Sequence, residues 1–397
     1  MSLSNALRRT TRALAFAALI AWSQLTLEKR RLAAALAGVV IAVILMLMQL
    51  GIRDALFKSA TLHYEHLQAE LVMISSQHIF LQQTSNFSRR RLVQVLGVAG
   101  VEAVTPLYLG SANWKNPQTF VERPIFVLGF EPQSSAVTLP AVRSSLDKIG
   151  VPDVVLFDQA SRPEYGAVEE AVRHGEPVKT EVSGRQIEVG GLFTLGTSFG
   201  IDGTLIASDR SFLQLFPTRR PGIIDLGLIS LKPGFEPERV RAEIVAALPP
   251  DVRVLTKAEL IQKEKDYWAR NTPIGFVITM TVAVGLLVGA VILYQILYTD
   301  VTDHLAEFAT LKAIGYSNAR LFLVVFLQAI ILALLAYPLA WVLSAGLYVA
   351  AHQATLLPIS MTLARSLAIF GLTVLMCSAS GFLAMQKLKS ADPAEVF

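Results

Sequence analysis

Gly196-Thr197-Ser198-Phe199-Gly200 matches G-x-S-x-G, the turn that presents a serine nucleophile in many hydrolases. Such a turn needs a strand before it, a helix after it, and then an acid and a histidine further along the chain. After Ser198 only His304 and His352 remain, one in a loop and one at the edge of an apolar stretch. The surrounding FTLGTSFGIDGTLIASD alternates as strand and turn, so it reads as a glycine-rich hairpin. His63 and His66 stand three apart around Glu65 on an expected helix and could offer two metal ligands on one face. HYEH is not H-E-x-x-H, and no cysteine or third spaced histidine accompanies it, so solvated helix histidines are expected there. The chain has no G-x-x-x-x-G-K-[ST] loop for nucleotide phosphates. Arg89, Arg90 and Arg91 read as a solvated helix start. No catalytic residue, cofactor ligand or metal ligand is assigned to this chain.

The composition explains why so little polar chemistry is visible. Of 397 residues 53% are apolar and only 17% charged, with a mean hydropathy of +0.50. Soluble domains carry about 25% charge, so the balance points to an integral membrane protein with a sizeable soluble part. It excludes a disordered chain, a disulfide scaffold and a compact cytosolic enzyme. The lone Cys377 can form no disulfide within the chain.

Charge-free windows mark the spans, since about 20 apolar residues cross the hydrocarbon. They hold 21 residues between Arg31 and Arg53, 29 between Arg270 and Asp300, 44 between Arg320 and Arg365, and 21 between Arg365 and Lys387. AHQATLLPISMT at 351–362 is too polar for a further span, so the long window holds one helix kinked near Pro338. The fold class is an α-helical membrane protein of four spans, arranged one plus three around a large α/β domain with a mostly β insertion. The spans cover 32–52, 271–299, 321–350 and 366–386, with a loop at 300–320, a short outer loop at 351–365 and a tail at 387–397. The first 31 residues carry six Lys/Arg against Glu28, which places both termini in the cytoplasm. Residues 8–22 imitate a signal peptide, but ALAFAALIAW ends in Trp22 and a polar stretch, so 1–31 reads as an uncleaved interfacial helix.

The outer segment, 53–270, is charge-balanced with 24 basic and 25 acidic residues, which argues against nucleic acid as a partner. Its ends read as α/β: strands at LVMIS, VEAVTPLYL, RPIFVLGF, DLGLISL and VRVL, with helices over 88–96, 237–248 and 258–269. Together 53–147 and 221–270 are expected to form a membrane-proximal α/β part, and 148–220 a β-rich insertion.

None of the four windows contains Asp, Glu, Lys or Arg. Ion-coupled transporters and channels place ionisable groups at membrane depth, so a secondary transporter or proton relay is disfavoured. Gly285 and Gly289 form a G-x-x-x-G pair that could pack two copies of the chain as a homodimer. In DVTDHLAEFATLKAIGYSNAR, Asp303 can cap a short helix whose apolar positions are Leu305, Phe308, Leu311 and Ile314. Gly315 ends that helix and Ser317 can cap the next. Glu307 and Lys312 are then available to a partner, and the loop's three acids against two bases favour a protein over an anionic membrane surface.

One span, a large outer domain, three spans and an E-x-x-x-L-K-A-I-G loop resemble the permease subunits of MacB/FtsX-type ABC transporters. The ending Ala391-Asp-Pro-Ala-Glu-Val-Phe397 is similar to their D-P-A-E terminus. AWSQLTLEKRRLAAALAGVVIAVILMLMQLGIRDALF and LFTLGTSFGIDGTL look like the DevC branch, the permeases of DevBCA-type exporters. The resemblance implies a homodimeric inner-membrane permease whose ATP and magnesium are bound by a separate DevA-like ATPase. The helix around Glu307 to Gly315 would couple to that ATPase. The outer domain would meet a periplasmic DevB-like adaptor and, through it, a TolC-like outer-membrane channel. Glycolipid or other hydrophobic cargo is associated with the branch. The alternatives are an FtsX-like transmitter that switches a cell-wall hydrolase and, further off, a membrane-anchored sensor or enzyme.

Overall fold

The computed structural model describes residues 17–27, 29–134, 136–303, 306, 307, 310, 312, 314 and 317–390. Four helices are long and apolar enough to cross a membrane, and they lie within Lys29–Glu65, Pro273–Asp303, Asn318–Thr355 and Leu363–Ser390. A large mixed α/β domain completes a multi-pass membrane protein. The chain divides into a helical unit (Met1–Asp54, Phe276–Ala354 and Ile359–Phe397) and a larger unit (Ala55–Gly275 with Thr355–Pro358).

The larger unit is organised by nine strands: β1 Leu71–Ser75, β3 Val101–Lys115, β4 Glu122–Phe130, β5 Val154–Asp158, β6 Lys179–Val182, β7 Arg185–Phe193, β8 Thr204–Ser208, β10 Leu226–Leu231 and β11 Val252–Thr256. A two-stranded ribbon of β2 (Phe87–Ser88) and β9 (Ile223–Ile224) stands beside them. The sheet runs β11-β1-β10-β3-β4-β8-β5-β7-β6, and β6 pairs again with β3. Strands β3, β4, β8, β5, β7 and β6 therefore close into a ring, joined at Trp114 opposite Val182 and by the Ser183 amide donating to the Asn113 carbonyl at 2.7 Å. The remaining strands form an open antiparallel sheet continuous with β3. Residues 154–208 thus supply four strands of the ring, whereas the open part draws on both ends of the segment.

These strands form where apolar residues alternate or run unbroken. In β7, RQIEVGGLF buries every second residue from Ile187 to Phe193, the signature of a half-covered strand. LVMIS is buried throughout because both faces of β1 are covered. One core cluster holds Trp114, Phe157, Tyr165 and Phe212, and another holds Tyr64, Phe126, Phe130 and Phe193. In the helical unit, alanines let the spans approach: Ala35 and Ala42 of the first span pack among Leu293, Ala333, Ala340 and Cys377.

Helix Lys257–Arg270 starts on a capping box: Thr256 Oγ1 accepts the Glu259 amide at 3.2 Å, and Glu259 Oε2 accepts the Thr256 amide at 2.9 Å. This start sets the rotation of the helix and turns Glu264 inward, where it is 2% exposed. Its carboxylate accepts the Leu81 amide at 3.1 Å and the Trp268 indole N–H at 3.0 Å. Phe80 stacks on Tyr267 and meets Trp268 edge-on, closing the site from one side. Burial outweighs the donors and raises the Glu264 carboxyl from 4.5 to about 7. Nearby His78 is pushed the other way, to about 4, by burial and then by Lys263.

Folded Glu264 keeps its proton up to about pH 7 while the unfolded chain loses it near 4.5, so this group costs stability as pH rises through that window. His78 acts in the opposite sense, so the effect is read as a difference between variants. Glu264→Gln should gain on wild type as pH rises from 4.5 to 7, by on the order of 3 kcal/mol. Thermal unfolding of the detergent-solubilised chain across that range checks it; a difference independent of pH would exclude a buried proton.

Candidate coupling site

Between the second and third span helices, the described residues place Glu307, Lys312 and Ile314 at the surface or near it, with Ile314 72% exposed. Leu305, Phe308, Leu311 and Gly315 lie outside the described residues, as does the ending at 391–397. Asp303 lies in helix Pro273–Asp303, and the two residues after it lie outside the described residues. Nothing in YTDVTD breaks a helix, so the second span simply continues to Asp303.

Polar side chains tie this end of the helical unit together. The Arg31 guanidinium pairs with the Asp303 carboxylate, linking the start of the first span helix to the end of the second. Helix Ala17–Leu27 packs Ala21, fully buried, against Val324 of the third span. Buried Gln328 donates to Gln24 Oε1 at 3.2 Å, and Gln24 in turn donates to Glu307 Oε2 at 3.5 Å. Glu307 is thereby joined, through one glutamine, to the interior of the third span.

A second cluster went unseen in the sequence, where Arg365 served only to end a charge-free window. It begins the fourth span helix with a side chain 6% exposed, and its fork binds Asp54 Oδ2 at 2.7 and 3.1 Å. Its remaining nitrogen donates to Tyr348 Oη at 3.2 Å and to the Ser360 carbonyl at 2.8 Å. Tyr348 of the third span donates to the Leu47 carbonyl of the first. Gly51 makes this approach feasible, because any Cβ there would collide with the tyrosine hydroxyl. Three spans are thus pinned at one point by one guanidinium. The signal available in the sequence was a single arginine isolated in 65 otherwise uncharged residues between Arg320 and Lys387.

The G-x-x-x-G pair makes its contacts within the chain. A Cβ on Gly289 would lie 2.5 Å from Ala42 Cβ and 2.8 Å from Met376 Sδ, and one on Gly285 would face Leu45 at 3.7 Å. Both glycines, one turn apart, therefore face the first span of their own chain.

Elsewhere, Ser198 sits in a bridge with Ile201 between β7 and β8, and a strand, not a helix, comes directly after it, so the nucleophile-turn context is absent. That loop is held by buried Asp158, which accepts the amides of Ala160, Leu195 and Gly196 at 2.9–3.1 Å. His63, expected in solvent, is 2% exposed: Nε2 lies 3.2 Å from Thr204 Oγ1 and the ring meets Phe126 edge-on. Helix 55–65 lies on the sheet with the face that carries it, while His66 is only partly covered. Arg89 and Arg91 pair with Glu131 and Asp251, and Arg90 remains exposed. Among the described residues no group of three or more His, Cys, Asp or Glu stands together as metal ligands.

Two predictions follow from this packing. Gly289→Ala should destabilise the chain by about 1–3 kcal/mol through overpacking, whereas Gly285→Ala should be near neutral; comparing unfolding midpoints in detergent tests this, and equal effects would argue against the intrachain contact. Removing Asp54 strands a buried guanidinium, whereas removing Arg365 leaves a carboxylate that is 41% exposed. Asp54→Ala should therefore cost more than Arg365→Ala, by the roughly 3–5 kcal/mol typical of an uncompensated buried charge at most.

Comparison with known proteins bears on one part of the chain. No curated protein matches its sequence. Solved structures similar to it include the periplasmic region of MacB from Actinobacillus actinomycetemcomitans, 11% identical with a TM-score of 0.34, covering 48% of this chain and 90% of that one. The extracellular domain of the noncanonic ABC-type transporter YknZ from Gram-positive bacteria is 12% identical, TM-score 0.32, covering 47% and 99%. A domain of a putative permease protein from Porphyromonas gingivalis is 14% identical, TM-score 0.31, covering 47% and 88%. Residues 279–393 match the family described as FtsX-like permease C-terminal. Most of the second span, the loop at 300–320 and the third and fourth spans are thus the part of the chain that is similar to FtsX-like permeases.

Proposed function

We propose that the chain is the permease subunit of an ABC transporter of the MacB/FtsX type, working with a separate ATPase subunit that binds ATP and magnesium. The observation that carries this reading is the family match over 279–393, because it spans the loop at 300–320 together with the helices on both sides of it. In this reading the loop seats on the ATPase in the cytoplasm, and residues 55–275 lie outside it. Displacement of the loop would reach the third span through Glu307, Gln24 and Gln328, and the first span through Asp303 and Arg31. The chain contributes no chemistry; it moves. A homodimer, a DevB-like adaptor, a TolC-like channel and a hydrophobic or glycolipid cargo complete the proposed DevC-type exporter.

Glu307→Lys reverses the charge at the exposed end of the glutamine link, and Leu311→Pro interrupts the helix expected there. Both should lower stimulation of the partner's ATPase by roughly fivefold or more, the scale of a coupling free energy, while the larger unit keeps its unfolding midpoint. Mass spectrometry of proteins co-purified from native membranes tests the assignment itself. Normal export by both variants, or no ATPase after crosslinking, would overturn it, and a cell-wall hydrolase in place of an adaptor would replace export with regulation.

A further inference from the structure

Strand β3 leaves one peptide bare on an edge that is otherwise covered. From Leu107 onward β4 takes one edge of this strand, and the alternation of an antiparallel ladder turns the amides and carbonyls of Leu109, Ser111 and Asn113 to the other edge. At Leu109 side chains stand in for a neighbouring strand: Asp225 Oδ2 accepts the amide and Arg219 donates to the carbonyl, both at 2.8 Å. At Asn113 the stand-in is Ser183, whose Oγ accepts the amide at 3.1 Å and whose amide donates to the carbonyl at 2.7 Å. Among the described residues nothing bonds the Ser111 amide or carbonyl on this edge, and Ser111 is exposed.

A bare strand edge is a pairing site that folds normally cover. The cover at Leu109 is a fully buried carboxylate, Asp225, held by Arg219 at 2.7 Å, although burying charge is costly. Two residues on, the edge opens instead into a cleft of about 170 Å³. Leu81, Leu109, Phe126 and Ile201 line it, and all four belong to one core cluster. The wall over 81–84 is fixed: Glu264 holds the Leu81 amide, Gln82 Nε2 donates to the Phe199 carbonyl at 2.8 Å, and Thr84 Oγ1 donates to Asp225 at 3.0 Å. The cleft is therefore preformed, and little ordering opposes entry.

The opening dictates its occupant. From Leu109 to Asn113 the strand advances four residues, roughly 13 Å. Antiparallel pairing fits such a short gap, because one incoming residue exchanges both hydrogen bonds with Ser111. Its side chain then lies on the same face as that of Ser111. That face is the cleft, since Phe126, directly opposite Ser111 in β4, lines it. The incoming side chain enters among Leu81, Leu109, Phe126 and Ile201, which suits a branched aliphatic group.

We infer that the Ser111 edge is a docking slot for an extended segment of another protein, which adds one antiparallel residue pair to β3 and seats a Val, Ile or Leu side chain in the cleft. The inference does not rest on the permease reading.

The test places a photo-crosslinking phenylalanine analogue at position 124 of the full chain in native membranes. Pro124 is exposed and lines the cleft, and position 151, an exposed valine elsewhere, is the control. The expected result is one protein crosslinked from 124 and not from 151, through a segment that contains Val, Ile or Leu. Ser111→Pro removes an amide that has no partner in the fold, and an edge tolerates proline. It should cut the yield by roughly fivefold or more, the scale of one lost hydrogen bond, with the unfolding midpoint unchanged. Ser111→Phe keeps the amide but fills the cleft and should cut the yield as strongly, whereas Ser111→Ala should leave it as it is. Equal yields from the proline and alanine variants would overturn the inference, as would a phenylalanine variant that crosslinks normally. A midpoint lowered by Ser111→Pro would mean that the fold itself uses the amide, and crosslinks only to lipid, to a second copy of the chain or to nothing would leave no such partner; each result overturns the slot.

Discussion

A strand of 15 residues has more backbone to satisfy than one neighbour can cover, and β3 settles that demand by changing partners. From Val101 to Leu107 it pairs with β10, from Leu107 onward with β4 on its other edge, and at Trp114 it meets β6. The open sheet and the closed ring are therefore one hydrogen-bonded object. The buried indole of Trp114, donating to the Tyr165 carbonyl at 3.0 Å, fixes the point where the ring closes. Glu264, Asp158 and Ser111 all hang from this frame: one on a helix laid beside it, one at the end of β5, one on the stretch of β3 that β10 and β6 leave uncovered.

The helical unit uses another logic. In hydrocarbon the apolar effect does not hold helices together, so small residues and polar ties must. Alanines and Gly289 bring the first and second spans close, and ion pairs tie the helices at Arg31 with Asp303 and at Asp54 with Arg365.

What the sequence disclosed was whatever local pattern determines. The apolar runs place β1, β4, β10 and β11, the stretch 258–269 falls in a helix as expected, and four charge-free windows correspond to four long helices. What it concealed depends on partners distant in the chain. His63 and His66 look alike in sequence and differ only because a sheet covers one of them. Arg365 looked like a flank because Asp54, its partner, lies 311 residues earlier. Gly285 and Gly289 announced a close contact without naming the helix that makes it.

Ring closure has one more consequence. A strand edge left bare is a template on which another chain can add, and it is the usual route to edge-to-edge aggregation. Here β6, which would otherwise end the sheet, is taken up by β3, so the remaining end strand of the nine-stranded sheet is β11. That edge is five residues long, carries exposed Arg253, and has the helices Pro237–Ala247 and Lys257–Arg270 packed on its strand. Fusing two sheet motifs through one long strand thus leaves the nine-stranded sheet with one end strand on which a second copy could add.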